Sequence, residues 1–156
     1  MVSGGRGDSV LHGSVTVKMD EKGRVKIPAN LRRLIQDRFG ACEYYVTSMK
    51  GDCALVYPER VWDELLRKLS TQSPTKPPVK RFRRATSYWG QMASMDPQGR
   101  IMIHPRLRTD AGLDTEVVIL GQKDYIEIWD HKKFKGTLQD DPVTEQDEEF
   151  LATLDI

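Results

Sequence analysis

No segment of the chain stays apolar for the roughly 20 residues that a bilayer-spanning helix needs, and its first residues lack the apolar core of a secretory signal. A cytoplasmic protein with no membrane partner is expected. Cysteine is scarce. Cys42 and Cys53 supply neither a disulfide framework nor a zinc-ligand spacing, and both are expected to stay reduced. The three histidines, His12, His104 and His131, are scattered, with no Cys or carboxylate at ligand spacing. No metal site and no cofactor is therefore expected. Positive charge is missing from the end of the chain: all 24 Lys and Arg lie before residue 140, together with 16 of the 23 Asp and Glu, so the net charge of +1 divides into a body of +8 and a tail of −7. A basic body favours a polyanionic partner, and an acidic tail over 139–156 would screen that surface or keep the protein soluble.

What the sequence does have is repetition. Residues 19–28 (MDEKGRVKIP) return 76 positions later as residues 95–104 (MDPQGRIMIH), and the register continues without a gap through Leu31/Leu107 and Arg32/Arg108. The shared Asp-x-x-Gly-Arg reads as a turn. Asp20 and Asp96 can hydrogen-bond the backbone two residues on, while Gly23 and Gly99 supply a positive φ at no steric cost. Around the first turn Val15, Val17, Met19, Val25 and Ile27 alternate with polar residues, which predicts two strands with one apolar face. The same parity sends Lys18, Arg24 and Lys26 outward together, with Lys22 at the turn tip: a basic ribbon. In the second copy the matching positions are Ser94, Arg100 and Met102, with Gln98 at the tip, so only Arg100 keeps the charge.

Each copy reads strand, turn, strand, helix, hairpin, helix. Pro28 and Pro105 lead helices that stop at Gly40 and Gly112, the second shorter by about a turn. Hairpins follow over 44–57 and 117–129, and the closing helices start after Pro58 and at an Asp130 cap. The resulting division is a disordered leader over 1–11, a first repeat over 12–69, a linker over 70–78, a connecting helix plus second repeat over 79–138, and the acidic tail. Arg32, Arg33 and Arg38 on the first Pro-led helix are expected on a solvated face.

Two in-register Asp-x-x-Gly-Arg motifs, each followed by a hydrophobic-x-hydrophobic step and a Pro-led helix containing Leu-Arg, resemble the MraZ family of bacterial transcription regulators, built from paired SpoVT/AbrB-like domains. The likeness spans roughly residues 13–138. It implies an α+β, mainly β fold: a pseudo-symmetric double-split β-barrel of swapped hairpins with connecting helices. It implies a ring-shaped homo-oligomer, an octamer by the family's habit, that is nucleoid-associated and binds double-stranded DNA without a helix-turn-helix. The family's usual target is tandem repeats in the promoter of the division and cell-wall gene cluster. Arg24, and by correspondence Arg100, are the positions such proteins rely on for DNA. Lys18, Lys22 and Lys26 would neutralise phosphates, and Arg24 would grip a phosphate or read a guanine edge. Pro97 and the loss of charge around the second turn make the first repeat the better DNA face.

An enzyme is not expected, and neither is a small-molecule substrate. Asp20 and Asp96 could suggest a proton-sharing dyad, but Arg24 and Arg100 would lower their pKa values and no nucleophile-activating group adjoins them. The alternative is an oligomeric assembly or antitoxin-like protein-binding module of AbrB-type fold, with the acidic C-terminus as its partner-binding segment.

Overall fold

The computed structural model describes residues 11–156. The expected disordered leader lies outside the described residues except for Leu11, which is buried and bridges Lys123 in an antiparallel pairing. In chain order the elements are β1 (Ser14–Lys18), β2 (Arg24–Lys26), α1 (Ala29–Phe39), β3 (Tyr44–Thr47), β4 (Ala54–Pro58), α2 (Glu59–Leu69) and α3 (Pro77–Tyr88), then β5 (Gln91–Ala93), β6 (Arg100–Met102), α4 (Pro105–Ala111), β7 (Glu116–Gln122), β8 (Tyr125–Asp130), α5 (His131–Asp140) and α6 (Glu145–Ala152). The protein is mixed α+β, with its core built on strands.

Six strands form an open antiparallel sheet in the order β1-β7-β8-β4-β3-β5, and β2 pairs with β6 in a separate two-stranded ribbon. Exchanging the two copies reverses this order and leaves it unchanged. The strands on either side of each motif turn do not pair with each other. β1 pairs with β7 of the second copy and β5 with β3 of the first, while β4 and β8 meet at the centre. Each copy is thus completed by the other, so neither has a closed core of its own.

Both faces of the sheet are covered, which explains why β4 (ALVYP) is buried at every position and shows no polar alternation. One face carries Val46, Val56, Ile119, Ile126 and Ile128, and packs with Val25, Ile27, Ile101 and Ile103 and with Leu31 and Leu107 from α1 and α4. The other carries Leu55, Tyr57, Val118 and Trp129, covered by Trp62 of α2, Phe82 of α3 and Phe134 of α5. Trp62 is stacked on Tyr45 at 4.5 Å between ring centroids.

Three segments differ from the sequence expectation. Pro77 and Pro78, read as linker, form the first turn of α3, where a missing N–H costs nothing. Gly121 and Gln122, which the sequence reads with Lys123 and Asp124 as the hairpin turn, continue β7, and the hairpin turns tightly at Lys123, whose φ is +64°. The acidic tail is helical: Thr144 and Asp147 form a reciprocal capping box that starts α6.

Candidate functional site

The two motif turns are built alike. Asp20 Oδ1 accepts the backbone N–H of Lys22 at 3.0 Å and of Arg24 at 2.8 Å, and Asp20 Oδ2 accepts Nε–H of Arg24 at 2.6 Å. In the second turn Asp96 Oδ1 accepts the N–H groups of Gln98 and Arg100, both at 2.9 Å, and Oδ2 accepts Arg100 Nε–H at 2.8 Å. The carboxylate therefore shapes the loop and aims the guanidinium at once. The Arg24 backbone N–H above all holds Asp20 below its ordinary value of 3.8; burial opposes it, and the Arg24 guanidinium and the Lys22 N–H add to the lowering. Arg100 does the same for Asp96.

Pairing of β2 with β6 brings the turns together. Lys26 stands opposite Arg100 and Arg24 opposite Met102. Arg100 Nη1 lies 3.8 Å from Asp20 Oδ2, so the arginine of one copy reaches the carboxylate of the other. The side chains of Arg24 and Arg100 are 31% and 27% exposed, neither sealed in the core nor free in solvent. Lys18, Lys22 and Lys26 are exposed, as are Ser94, Gln98 and Met102 in the second copy. In β1 and β2 the alternation of exposed and buried residues follows the expected parity, with Lys18 and Lys26 exposed, Arg24 half-buried, and Val25 buried between Arg24 and Lys26.

Sequence reasoning missed the clamp behind these turns. Gly23 and Gly99 have φ of +86° and +79°, and each is covered by an arginine of the opposite copy. A Cβ on Gly23 would come within 2.5 Å of Arg108 Nε, and one on Gly99 within 2.7 Å of the Arg32 guanidinium. Arg32, expected on a solvated face, is half-buried and donates Nε–H to Ile27 O at 2.9 Å. Arg38 is also drawn into the fold, donating to Lys123 O, whereas Arg33 is exposed. Two backbone bonds tie the clamp together: Ile27 N–H to Gly99 O at 2.9 Å and Ile103 N–H to Gly23 O at 2.8 Å. The available signal was the retention of Arg32 and Arg108 at matching repeat positions.

Among the described residues no group of three or more His, Cys, Asp and Glu could hold a metal ion, and no helix is long and apolar enough to cross a membrane. Burial pushes the Cys53 thiol well up, which leaves it unreactive as a nucleophile.

Comparison with known proteins follows the repeat. The family model described as MraZ protein, with an antitoxin-like designation in its description, matches residues 10–85 and 91–153. Similar curated proteins include the transcriptional regulator MraZ of Acidobacterium capsulatum, 35% identical over 92% of this chain and 97% of that protein. That of Koribacter versatilis is 33% identical over 94% and 100%, and that of Escherichia coli 31% identical over 94% of each. All three are named as regulators, and no enzyme family is indicated.

Proposed function

The chain belongs to the MraZ family, and from that premise we propose that it is a sequence-specific, DNA-binding transcriptional regulator acting in the cytoplasm at the nucleoid. Its two SpoVT/AbrB-like repeats, over 12–69 and 79–138, complete one double-split β-barrel. A ring-shaped homo-oligomer, an octamer, presents several such faces to tandem promoter repeats of the division and cell-wall gene cluster. The observation that carries this reading is the antiparallel β2–β6 ribbon, which sets Arg24, Lys26 and Arg100 side by side.

A two-stranded ribbon fits the major groove of B-form DNA. Lys18, Lys22 and Lys26 take phosphates. Asp20 and Asp96 hold Arg24 and Arg100 by their Nε edges, so the Nη groups are the atoms that meet a phosphate or the O6/N7 edge of a guanine. The carboxylates themselves orient and do not touch DNA, since facing a phosphate would be repulsive. One ribbon carries few charges, and the ring compensates by raising effective concentration along repeated sites.

In-vitro selection of duplexes bound by the full chain, read together with its molar mass in solution, tests the proposal. Enrichment of short tandem repeats by a large oligomer is expected. A large oligomer with no enriched sequence would instead favour the protein-binding assembly module, the reading to which the exposed α6 lends weight.

A further inference from the structure

Most of the body's positive charge lies away from the ribbon. The ribbon strands, β1 and the motif turns hold Lys18, Lys22, Arg24, Lys26 and Arg100 against Asp20, Glu21 and Asp96, a net of +2. Residues 65–95 contain seven Lys and Arg and no Asp or Glu, a net of +7 within a body of +8. That charge gathers on α3. Val79, Phe82 and Thr86 of this helix face the sheet: Val79 and Thr86 are buried, Phe82 stacks on Trp62, and Thr86 O accepts Tyr45 Oη–H at 2.9 Å and Thr47 Oγ1–H at 2.8 Å. Helical spacing therefore sends Lys80, Arg81 and Arg84 away from the sheet, with Arg83 at the border, and all four are exposed. Among the described residues none of the four has an ion-pair partner. Lys80 and Arg84 are like charges at i, i+4, as are Lys76 and Lys80, an arrangement that weakens a helix unless something outside it offsets the repulsion.

The helix is anchored beside the ribbon. His104 shares the parity of Arg100 and Met102, and Met102 and His104 line one groove with Gln91 and Met92 of β5. From there the His104 ring nitrogen Nε2 hydrogen-bonds Trp89 O at 2.7 Å, just past the end of α3. Arg106 donates to Tyr88 O at 3.3 Å and sets its guanidinium 4.5 Å from the centre of the Tyr88 ring. The C-terminal end of α3 is thus fixed against the outer side of β6, and its 12 residues run for about 18 Å, the length of about five base pairs. Because the apolar side of α3 is already packed on the sheet, charge is what its outer side offers. That suits a phosphate backbone better than a bilayer, which an interfacial helix enters with an apolar face.

We propose that α3 is a second contact surface for double-stranded DNA, holding phosphates of any sequence through Lys80, Arg81 and Arg84 while the ribbon reads the bases beside it. The proposed function supplies the partner and this inference rests on it; the surface itself is additional. Phosphate contacts position a protein on a duplex and base contacts specify the site, so the two surfaces divide the work.

A salt titration of the full chain on a duplex that lacks the repeats tests the surface with Lys80→Gln/Arg81→Gln/Arg84→Gln. These substitutions change only exposed positions and keep helix-favouring side chains, and circular dichroism checks the fold. The variant is expected to bind at least about tenfold more weakly at low salt, with the slope of log K against log salt concentration shallower by about 2–3. In-vitro selection with it is expected to enrich the same sequence as wild type. Arg81→Lys/Arg84→Lys is expected to keep the wild-type slope, since the contact needs the charge and not the planar fork. An unchanged slope in the Gln variant would overturn the surface and leave the ribbon's role standing. Loss of the enriched sequence would overturn it too, because α3 would then belong to the reader, as would α3-dependent binding to phosphatidylserine vesicles with duplex binding unaltered. A wild type that binds no duplex would defeat the proposed function and this surface together.

Discussion

Asp20 and Arg24 form the smallest unit on which the account depends, because one carboxylate both closes the turn and fixes the guanidinium. Replacing Arg24 by Ala removes an outward side chain and leaves the core intact. An electrophoretic-shift titration is expected to show at least about a tenfold loss of specific binding, with the molar mass unchanged. Arg100→Ala is expected to cost less, since Met102 and Gln98 stand where the first copy has Lys26 and Lys22; equal losses would refute the asymmetry. Gly23→Ala forces a side chain into positive φ and against Arg108. A loss of about 1–3 kcal/mol is expected from thermal or denaturant unfolding, and a neutral result would refute the clamp. The lowered pKa values of Asp20 and Asp96 fix a sign. Their stabilisation is complete above the unfolded value near 3.8 and is lost as pH falls through the folded value. The stability difference between wild type and Asp20→Asn should therefore shrink on acidification below 3.8; a difference independent of pH would contradict the carboxylate's role.

At the scale of elements, periodicity reported which face of each strand is apolar but not which strand lies beside it. That is why β1, β2 and their turn could be read from Val15 to Ile27, while the crossing of β1 to β7 and of β5 to β3 could not be derived from alternation. Gly112 marked the end of α4 because its αL conformation suits glycine. Pro77 and Pro78 misled because proline opens helices and loops alike. Arg32 misled because its burial comes from the opposite copy, out of reach of any local pattern. In the tail, acidic composition obscured α6, although Thr144 and Asp147 at capping-box spacing were there to be read. Trp62 joins several of these elements, contacting the rings of Tyr45, Tyr57 and Phe82. Trp62→Ala is expected to destabilise the protein by about 3–5 kcal/mol, measured by denaturant unfolding. A loss under 1 kcal/mol would mean that α2 and α3 contribute little to the sheet's second face.

Over the whole molecule, a body of +8 and a tail of −7 divide the chain into a part suited to a polyanion and a part suited to basic protein surface. Neither motif turn is built by its own repeat alone, because each is braced by the other copy's arginine and backbone. On the proposed function, the unit that meets a duplex is the intact pair of repeats, multiplied by the oligomer. Its electrostatic footprint is countable. If Lys18, Lys22, Arg24 and Lys26 each neutralise a phosphate, the slope of log K against log salt concentration is about −3 to −4 for every engaged copy. The most direct test is a salt titration of wild-type binding to selected repeat DNA. The account predicts a steep slope that grows in steps of at least this size as repeats are added to the duplex; a flat profile would contradict it.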